Sequence, residues 1–424
     1  MARPGRLLLL VPTQSYRAED FLAAASRLGV PVLVGTDRCH RIEDAFGPEE
    51  GMLSIDYRKP EEAAEEIARA AAREPIAGVI PTDDGTAVIA ALAAERLGLP
   101  RNSPAAARRT ASKVAQREAL QAAGLPVPWF RAFPLQGGPG EPSGAVPYPC
   151  VLKPVGLSGS RGVIRADDPA SFQEAWRRVA AILSTARSDR KAREEGEGSR
   201  ILVEAFVPGA EVALEGLLRD GRLEPLALFD KPDPLDGPFF EETLYVTPSR
   251  HPADLQAQVV RTLAAAAEAL GLREGPVHAE ARLGPEGPVI LEVAARTIGG
   301  LCARSLRFGT GASLEELVVA HAVGLPLSSV RREARASGVM MLPIPRRGIL
   351  HGVAGLDAAR AVPGVEDVVI TVPEGREVVP LPEGDAYLGF AFARGETPGA
   401  VEASLREAAA RLLWDIRAPL PTVR

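Results

Sequence analysis

Lysine is nearly missing from this sequence. Among 424 residues there are five, Lys59, Lys113, Lys153, Lys191 and Lys231, against 44 arginines. Asparagine occurs once, at Asn102. A chain that writes almost every cation as arginine keeps lysine where a compact point charge serves and a broad planar fork does not. Each remaining lysine is therefore a candidate functional residue. Cysteine is also scarce. Cys39, Cys150 and Cys302 form neither a metal-ligating spacing nor an even set for disulfides, which implies a reduced, cytoplasmic protein. No stretch approaches the ~20 apolar residues of a membrane span. The apolar run near the start, Leu7 to Val11, is too short for the core of a signal peptide and meets polar residues at once. The formal net charge is -6 and no basic stripe is present, which excludes nucleic acid and anionic membranes as partners.

Hydrophobic residues make up 46% of the chain, enough for a sizeable core, and the length predicts roughly two to four domains. Strand and helix patterns alternate from residue 6 to 100, ending on "IAGVIPTDDGT" and the helix "AVIAALAAERLGLP". This alternation predicts a parallel α/β unit, with ligands at the carboxyl ends of its strands, where "TQSY" (13–16) and "TDDG" (82–85) would lie. Asp83 and Asp84 read either as the cap of the following helix or as acids for an amine. One helix is expected over 110–123, followed by a Pro-broken link, "LPVPWF". The strand "CVLKPV" then delivers Lys153 into "GLSGSRG", residues 156–162. This is not a P-loop, because the order G-x-x-x-x-G-K-[ST] is absent. The charged stretch 187–200 reads as a solvated loop, and 201–231 as an antiparallel run with a hairpin turn at Asp220-Gly221. A second hairpin turns around Gly284 to Gly287, and from about 335 strand-like runs and a final helix suggest a separate α+β piece.

That second hairpin carries the chemistry. In "VHAEARL", the period of two puts His278, Glu280 and Arg282 on one face. In "VILEVAAR" it does the same for Ile290, Glu292, Ala294 and Arg296. Two carboxylates on adjacent strands suit Mg²⁺, a hard cation that takes carboxylates together with substrate phosphates. In "VEAFVPGAEV", Glu204 closes a strand, a short apolar linker follows, and Glu211 comes next. Such a linker offers backbone groups to an adenine edge, and an acid accepts from ribose hydroxyls.

Together these features resemble the ATP-grasp superfamily, whose members hold ATP between two α+β subdomains. The resemblance covers nearly the whole chain. It implies α/β and α+β architecture: a parallel α/β domain over 1–105, a central two-lobed ATP-grasp domain over 106–334 with its lid lobe at about 125–203, and an α+β domain over 335–424. It implies that Lys113 and Lys153 contact phosphates. The segment from Gly156 through Ser158, Gly159 and Ser160 to Gly162 would be the mobile lid. Glu204 with the backbone of Ala205, Phe206 and Val207 would be the adenine hinge, and Glu211 the ribose acceptor. Glu280 and Glu292 would hold Mg²⁺ or Mn²⁺, and Arg296 would stabilise the reacting acyl centre. The stretch "EVAARTIGGLCARSLRFGTG" is most similar to bacterial L-amino-acid ligases. The resemblance therefore implies an ATP-dependent carboxylate–amine ligase, a homodimer, taking a small-molecule acid and a small-molecule amine. His278, Gly299, Gly300 and Arg304 are candidate substrate contacts, with Arg307 beside them. Lys231 stands either with the phosphates, with the acyl substrate, or as a plain turn residue. Arg161 grips a phosphate or pins the lid to its own domain.

One departure stands out. Many members carry Asn two residues after the second glutamate, where this chain has Ala294. The expectation is a metal position with fewer protein ligands, or one completed by water. Two other readings remain beside amino-acid ligation. One is a purine-pathway or carboxyphosphate-forming relative, marked by bicarbonate- or formate-dependent ADP release. The other is a nucleotide-binding protein with a degenerate site, marked by ATP binding without turnover.

Overall fold

The computed structural model describes residues 5–12, 17–37, 51–189, 200–327 and 329–418. The "TQSY" loop, Cys39, Lys191 and most of the charged stretch 187–200 lie outside the described residues.

The first unit is a parallel sheet of β1 (Arg6–Val11), β2 (Val32–Thr36), β3 (Met52–Ser54) and β4 (Ile76–Pro81), in the order β3-β2-β1-β4. β1 lies between two partners and is buried on both faces. Leu7 and Leu9 enter one core cluster, Leu8 and Leu10 another, which is why its sequence is continuously apolar. Helix α1 (Ala18–Arg27) connects β1 to β2, α2 (Pro60–Arg73) connects β3 to β4, and α3 (Asp84–Arg96) follows β4. Asp83 caps α3 by accepting from the Thr86 N–H, as one of the two readings of "TDDG" expected.

The single helix expected over 110–123 is two: α4 (Pro104–Ala111) and α5 (Lys113–Ala122). Ser112 breaks it. Its backbone is extended, and its hydroxyl accepts from the Ala115 N–H as the cap of α5. Lys113 is thereby the first residue of a helix and not part of its middle.

An antiparallel sheet follows, built from β5 (Phe130–Pro134), β6 (Cys150–Pro154), β7 (Ile164–Ala166) and β8 (Arg200–Ala205), ordered β5-β8-β6-β7. Helix α6 (Pro169–Asp189) buries Phe172, Trp176 and Val179 against it. β5 starts directly after the prolines that read as a link, and pairs at the sheet edge with β8.

The largest sheet has eight strands. Its central part is β9 (Glu211–Arg219), β10 (Arg222–Lys231), β11 (Leu244–Thr247), β12 (Gly275–Gly284) and β13 (Gly287–Ala294). β9 and β10 turn through Asp220 and Gly221 at positive φ, 48° and 82°, as a two-residue hairpin requires. Helix α7 (Ala253–Ala269) covers this part, and α8 (Leu314–Ala322) packs against α1. The C-terminal residues form β14 (Ala336–Leu342), β15 (Gly348–Ala354), β16 (Val365–Ile370), β17 (Glu377–Val378), β18 (Gly389–Gly395), helix α9 (Pro398–Ala410) and β19 (Leu413–Arg417). β14 hydrogen-bonds to β11, so the sheet runs β13-β12-β9-β10-β11-β14-β18-β16 without interruption. One core cluster includes Leu7 and Leu9 of β1, Phe229 of β10 and Phe390 and Phe392 of β18. The active face of the central hairpins is thus braced by both ends of the chain.

Candidate functional site

A cleft of about 750 Å³, its solvent-open mouth included, lies between the lid sheet and the eight-stranded sheet. Lys113, Lys153, Ser158, Gly159, Ser160, Glu204, Ala205, Phe206, Val207, Glu211, Glu280 and Glu292 all border it. Residues dispersed over 180 positions of sequence converge there, together with Glu242 and Arg282, which sequence reasoning did not assign.

On the lid wall, Lys153 leaves the end of β6 and its Nζ sits 2.6 Å from Glu204 Oε2. The other oxygen of Glu204 takes Arg117 Nε at 2.6 Å. Arg117 lies one turn beyond Lys113 on the same helix face, a spacing that marks it in hindsight. Burial alone would push the Glu204 carboxyl up, but the Arg117 and Lys153 charges outweigh this and hold it down to about 2. Glu204 is therefore an anchor for two cations, with both oxygens engaged. A depressed folded-state pKa stabilises the fold above the unfolded value near 4.5, and the contribution, about 3 kcal/mol, is lost as pH falls toward 2. Acid unfolding of Glu204→Gln, followed by circular dichroism, is expected to be flatter over that window than the wild-type curve.

The lid loop itself is shaped for close approach. Gly159 and Ser160 have φ of 64° and 55°, and Gly162 of 72°. The N–H groups of Ser158, Gly159 and Ser160 have no partner among the described residues, and all three residues border the cleft. Lys113 donates from Nζ to the Leu157 carbonyl at 2.6 Å, tying α5 to the same loop. Gly162 departs from the expectation: its N–H is taken by the Pro382 carbonyl at 2.8 Å. Arg161 does not pin the lid to its own domain: it bonds the Glu383 carbonyl and Asp385 of the C-terminal part.

On the facing wall, Glu280 and Glu292 are direct cross-strand partners. Glu280 uses only Oε1, which receives Lys231 Nζ at 2.7 Å, His278 Nε2 at 3.2 Å and the Tyr245 hydroxyl at 3.5 Å. Its Oε2, and the whole Glu292 carboxylate, have no hydrogen bond or ion pair among the described residues. These free oxygens fit a hard divalent cation. Gln116 of α5 fixes this edge by donating to the Val293 carbonyl and accepting its N–H, both at 2.9 Å. A second acidic group, Glu211, Glu242 and Glu280, has ligand atoms within 4.8 Å of one another, but the Lys231 ammonium occupies its centre at 2.6, 2.6 and 2.7 Å. Burial would lower the Lys231 pKa, yet the three carboxylates raise it well above its usual value. Lys231 is thus an ion-pair hub at the cleft.

His278 bridges Glu280 and the fully buried Glu215. Burial disfavours its charge, but Glu215 and Glu280 raise its pKa to about 9, so it is cationic near neutrality. Glu215 also accepts the Ile298 N–H at 3.1 Å, linking this strand to the turn after Arg296. Its signal was an acid inside the apolar run "EVALEGLL", on the same face as Glu211. Ala294 is buried and lies across the ladder from His278.

Arg296 is held by Asp84, with Nε to Oδ1 and Nη2 to Oδ2 both at 3.0 Å. The acid in "TDDG" that does not cap the helix therefore orients the arginine. Arg304, a candidate substrate contact, pairs with Asp20 of α1, its Nε 2.9 Å from the carboxylate. Arg307 donates from Nη1 to the Arg304 and Leu306 carbonyls. Gly299 is open on its Cβ side, whereas at Gly300, with φ of 61°, a Cβ would stand 2.8 Å from the Phe390 ring.

At the hinge, the Ala205 N–H donates to Trp129 and the Phe206 N–H to Pro149, while the Val207 carbonyl accepts from Arg282. Of the expected hinge amides, the Val207 N–H alone has no partner among the described residues. Val151, Leu235, Phe240 and Leu291 supply apolar walls beside it. Glu211 borders the same space with both oxygens engaged, one by Lys231 and one by Arg282 at 3.0 Å.

Comparison with known proteins agrees with this geometry. Residues 146–305 match the ATP-grasp domain, 22–101 the ATP-grasp N-terminal domain and 340–417 the L-amino acid ligase C-terminal domain 2. Carnosine synthase 1 of Gallus gallus is 32% identical over 83% of this chain, and the match spans 40% of that protein. Alanine–anticapsin ligase of Bacillus subtilis is 25% identical over 70% of this chain and 65% of its own length. This chain thus spans well under half of the first of these relatives and about two-thirds of the second. The crystal structure of an L-amino acid ligase from Bacillus licheniformis superposes with a TM-score of 0.77 at 24% identity, covering 98% of this chain and 100% of that one. Among the described residues no helix is long and apolar enough to cross a membrane. Three successive domain matches, the whole-chain superposition and the cleft between the two sheets agree, and the chain belongs to the ATP-grasp superfamily.

Proposed function

We propose that this chain is an ATP-dependent ligase that joins a carboxylate to an amine through an acylphosphate, acting on amino acids or related small acids in the cytoplasm. The observation that carries the reading is the pairing of walls. Two lysines and three unpartnered lid amides face two adjacent glutamates whose free oxygens suit Mg²⁺, with Arg296 four residues along the same strand exit. The matches to relatives named as ligases and as a synthase support it. We further place the domain limits at 1–105, 106–334 and 335–424, with the C-terminal domain sharing the central sheet.

A carboxylate does not condense with an amine at neutral pH, because hydroxide is a poor leaving group. In the proposed reaction a carboxylate oxygen attacks the γ-phosphorus, the bond to ADP breaks and an acylphosphate forms. The amine nitrogen then attacks the acyl carbon, phosphate leaves and the amine loses a proton. Phosphoryl transfer depends on positioning and charge neutralisation more than on covalent help. Mg²⁺ held by Glu280 and Glu292 would neutralise phosphate charge. Lys113, Lys153 and the Ser158–Ser160 amides grip the phosphates, and the Val207 amide reads the base. Arg296, fixed by Asp84, stabilises the oxyanion that forms as the amine attacks.

The test is ADP release and product mass after incubation with ATP, Mg²⁺ and mixed amino acids. A new mass equal to two substrates less water is expected. ATP binding with no pair of acid and amine accelerating ADP release would overturn the reading. Lys153→Ala is expected to abolish the ATP-induced rise in melting temperature. It also strips one of the two cations from buried Glu204 and so lowers the apo melting temperature, and the ATP effect is therefore read as the shift from the variant's own apo value. An unaltered ATP-induced shift would remove Lys153 from the site.

A further inference from the structure

The lid is tied down from outside its own lobe. Its loop gives the Gly162 N–H to the Pro382 carbonyl at 2.8 Å and Arg161 Nε to the Glu383 carbonyl at 3.0 Å. Arg161 Nη1 also reaches Asp385 at 3.2 Å. Behind the loop, Arg178 of α6 grips the Glu383 carboxylate with two donors, Nη2 at 2.9 Å and Nε. The same guanidinium lies 4.6 Å from the centre of the Phe239 ring. Residues 382–385 precede β18, the strand whose Phe390 backs Gly300 beside Arg296. On its other flank the lid is joined to the connection that leads to Glu242, through the Arg165 N–H on Pro238 at 2.9 Å and its Nη1 on Asp236 at 2.7 Å. Arg178 is therefore the point where the lid helix, the 236–239 connection and the C-terminal domain meet.

We propose that Glu383, acting through Arg178, is a positioning residue that latches the lid shut over the reacting groups. The C-terminal domain thereby sets how long the acylphosphate is shielded from water. This rests on the ligase reading given above. The contact has the strength a reversible latch needs. The side chains of Arg178 and Glu383 are 38% and 41% exposed, and a pair so open to solvent biases an equilibrium a few-fold rather than a thousand-fold. A buried pair would hold product in as firmly as it held water out. The position is equally telling: no atom of Glu383 borders the cleft, so its substitution leaves the phosphate and metal groups in place. When the lid opens early, water attacks the acylphosphate, the acid and phosphate are regenerated, and ADP is released without amide.

The experiment compares wild type, Glu383→Arg, Arg178→Glu and the charge-swapped double variant. Two quantities are measured: amide formed per ADP released, and hydrogen exchange of residues 156–162 with ATP bound. Each single variant is expected to lower the amide-to-ADP ratio and to raise lid exchange, both by about fivefold. The double variant should restore most of both, and Glu383→Gln should move them in the same direction as Glu383→Arg. A purely structural role gives loss without recovery in the swap, which overturns the latch. Unchanged ratio and exchange in both single variants overturn it as well. If wild type makes no amide from any pair, yet lid exchange rises in the single variants and recovers in the double, the ligase reading fails and the latch stands.

Discussion

Arg296→Ala is expected to lower amide formation by about 10²–10³-fold while the ATP-induced rise in melting temperature is retained. The basis is where the guanidinium sits. It leaves β13 four residues after Glu292, is largely shielded with its side chain 13% exposed, and is clamped by both oxygens of Asp84 at 3.0 Å. Burial would lower its pKa, but Asp84 and Glu292 raise it further, so its charge is permanent. A fixed cation aimed at developing negative charge costs no reorganisation during the reaction, which is why loss of one such donor is expensive. Neither the lysines nor the lid amides depend on it, so ATP binding is preserved. Asp84→Asn keeps one acceptor for the guanidinium and should cost less, with the loss in kcat and not in the apparent affinity for ATP. Near-wild-type turnover in Arg296→Ala would mean that the oxyanion is held elsewhere.

Much of this site was legible because it lies on strands. A period of two placed His278, Glu280 and Arg282 on one face of their strand and Glu292 with Arg296 on one face of theirs, and the ladder register then set Glu280 opposite Glu292 on the same side of the sheet. The scarcity of lysine marked Lys113 and Lys153, which a search by motif alone would have passed over. What stayed hidden depends on contacts between distant segments. Glu242 lies in an irregular connection between β10 and β11, where no periodicity assigns a face. Asp84 and Arg296 are 212 residues apart, and either acid of "TDDG" was an equally good cap until the fold showed that Asp83 takes that part. The pairing of β11 with β14 joins a central strand to a C-terminal one across α7, the second hairpin and α8, so the part from about 335 onward read as separate. Arg304 follows a Gly-Gly turn, and its partner, Asp20 of the first helix, lies 284 residues away. In each case the deciding partner came from another part of the chain, and no local pattern reports that.

Glu280→Gln and Glu292→Gln are expected to abolish Mg²⁺-dependent turnover alike and to differ in the stability of the apo protein. On the proposed reading each would remove an anionic ligand, so the apparent Mg²⁺ affinity should fall at least on the order of 100-fold, the upper range for residues that merely support a ligand. Their surroundings differ. Glu292 has no hydrogen bond or ion pair among the described residues, so its amide should leave the apo unfolding free energy within about 0.5 kcal/mol of wild type. Glu280 is part of the buried ionic cluster around Lys231 and also meets His278, so Glu280→Gln should cost about 1–3 kcal/mol. Denaturant unfolding without metal separates the two, and Mg²⁺ titration of ATP-dependent stabilisation measures the shared effect. Equal destabilisation by both substitutions would mark Glu292 as structural. Intact Mg²⁺ dependence in both would move the metal to Glu211 and Glu242. That outcome requires the Lys231 ammonium to leave the centre of the three carboxylates, so a Lys231→Ala variant should then bind Mg²⁺ more tightly than wild type.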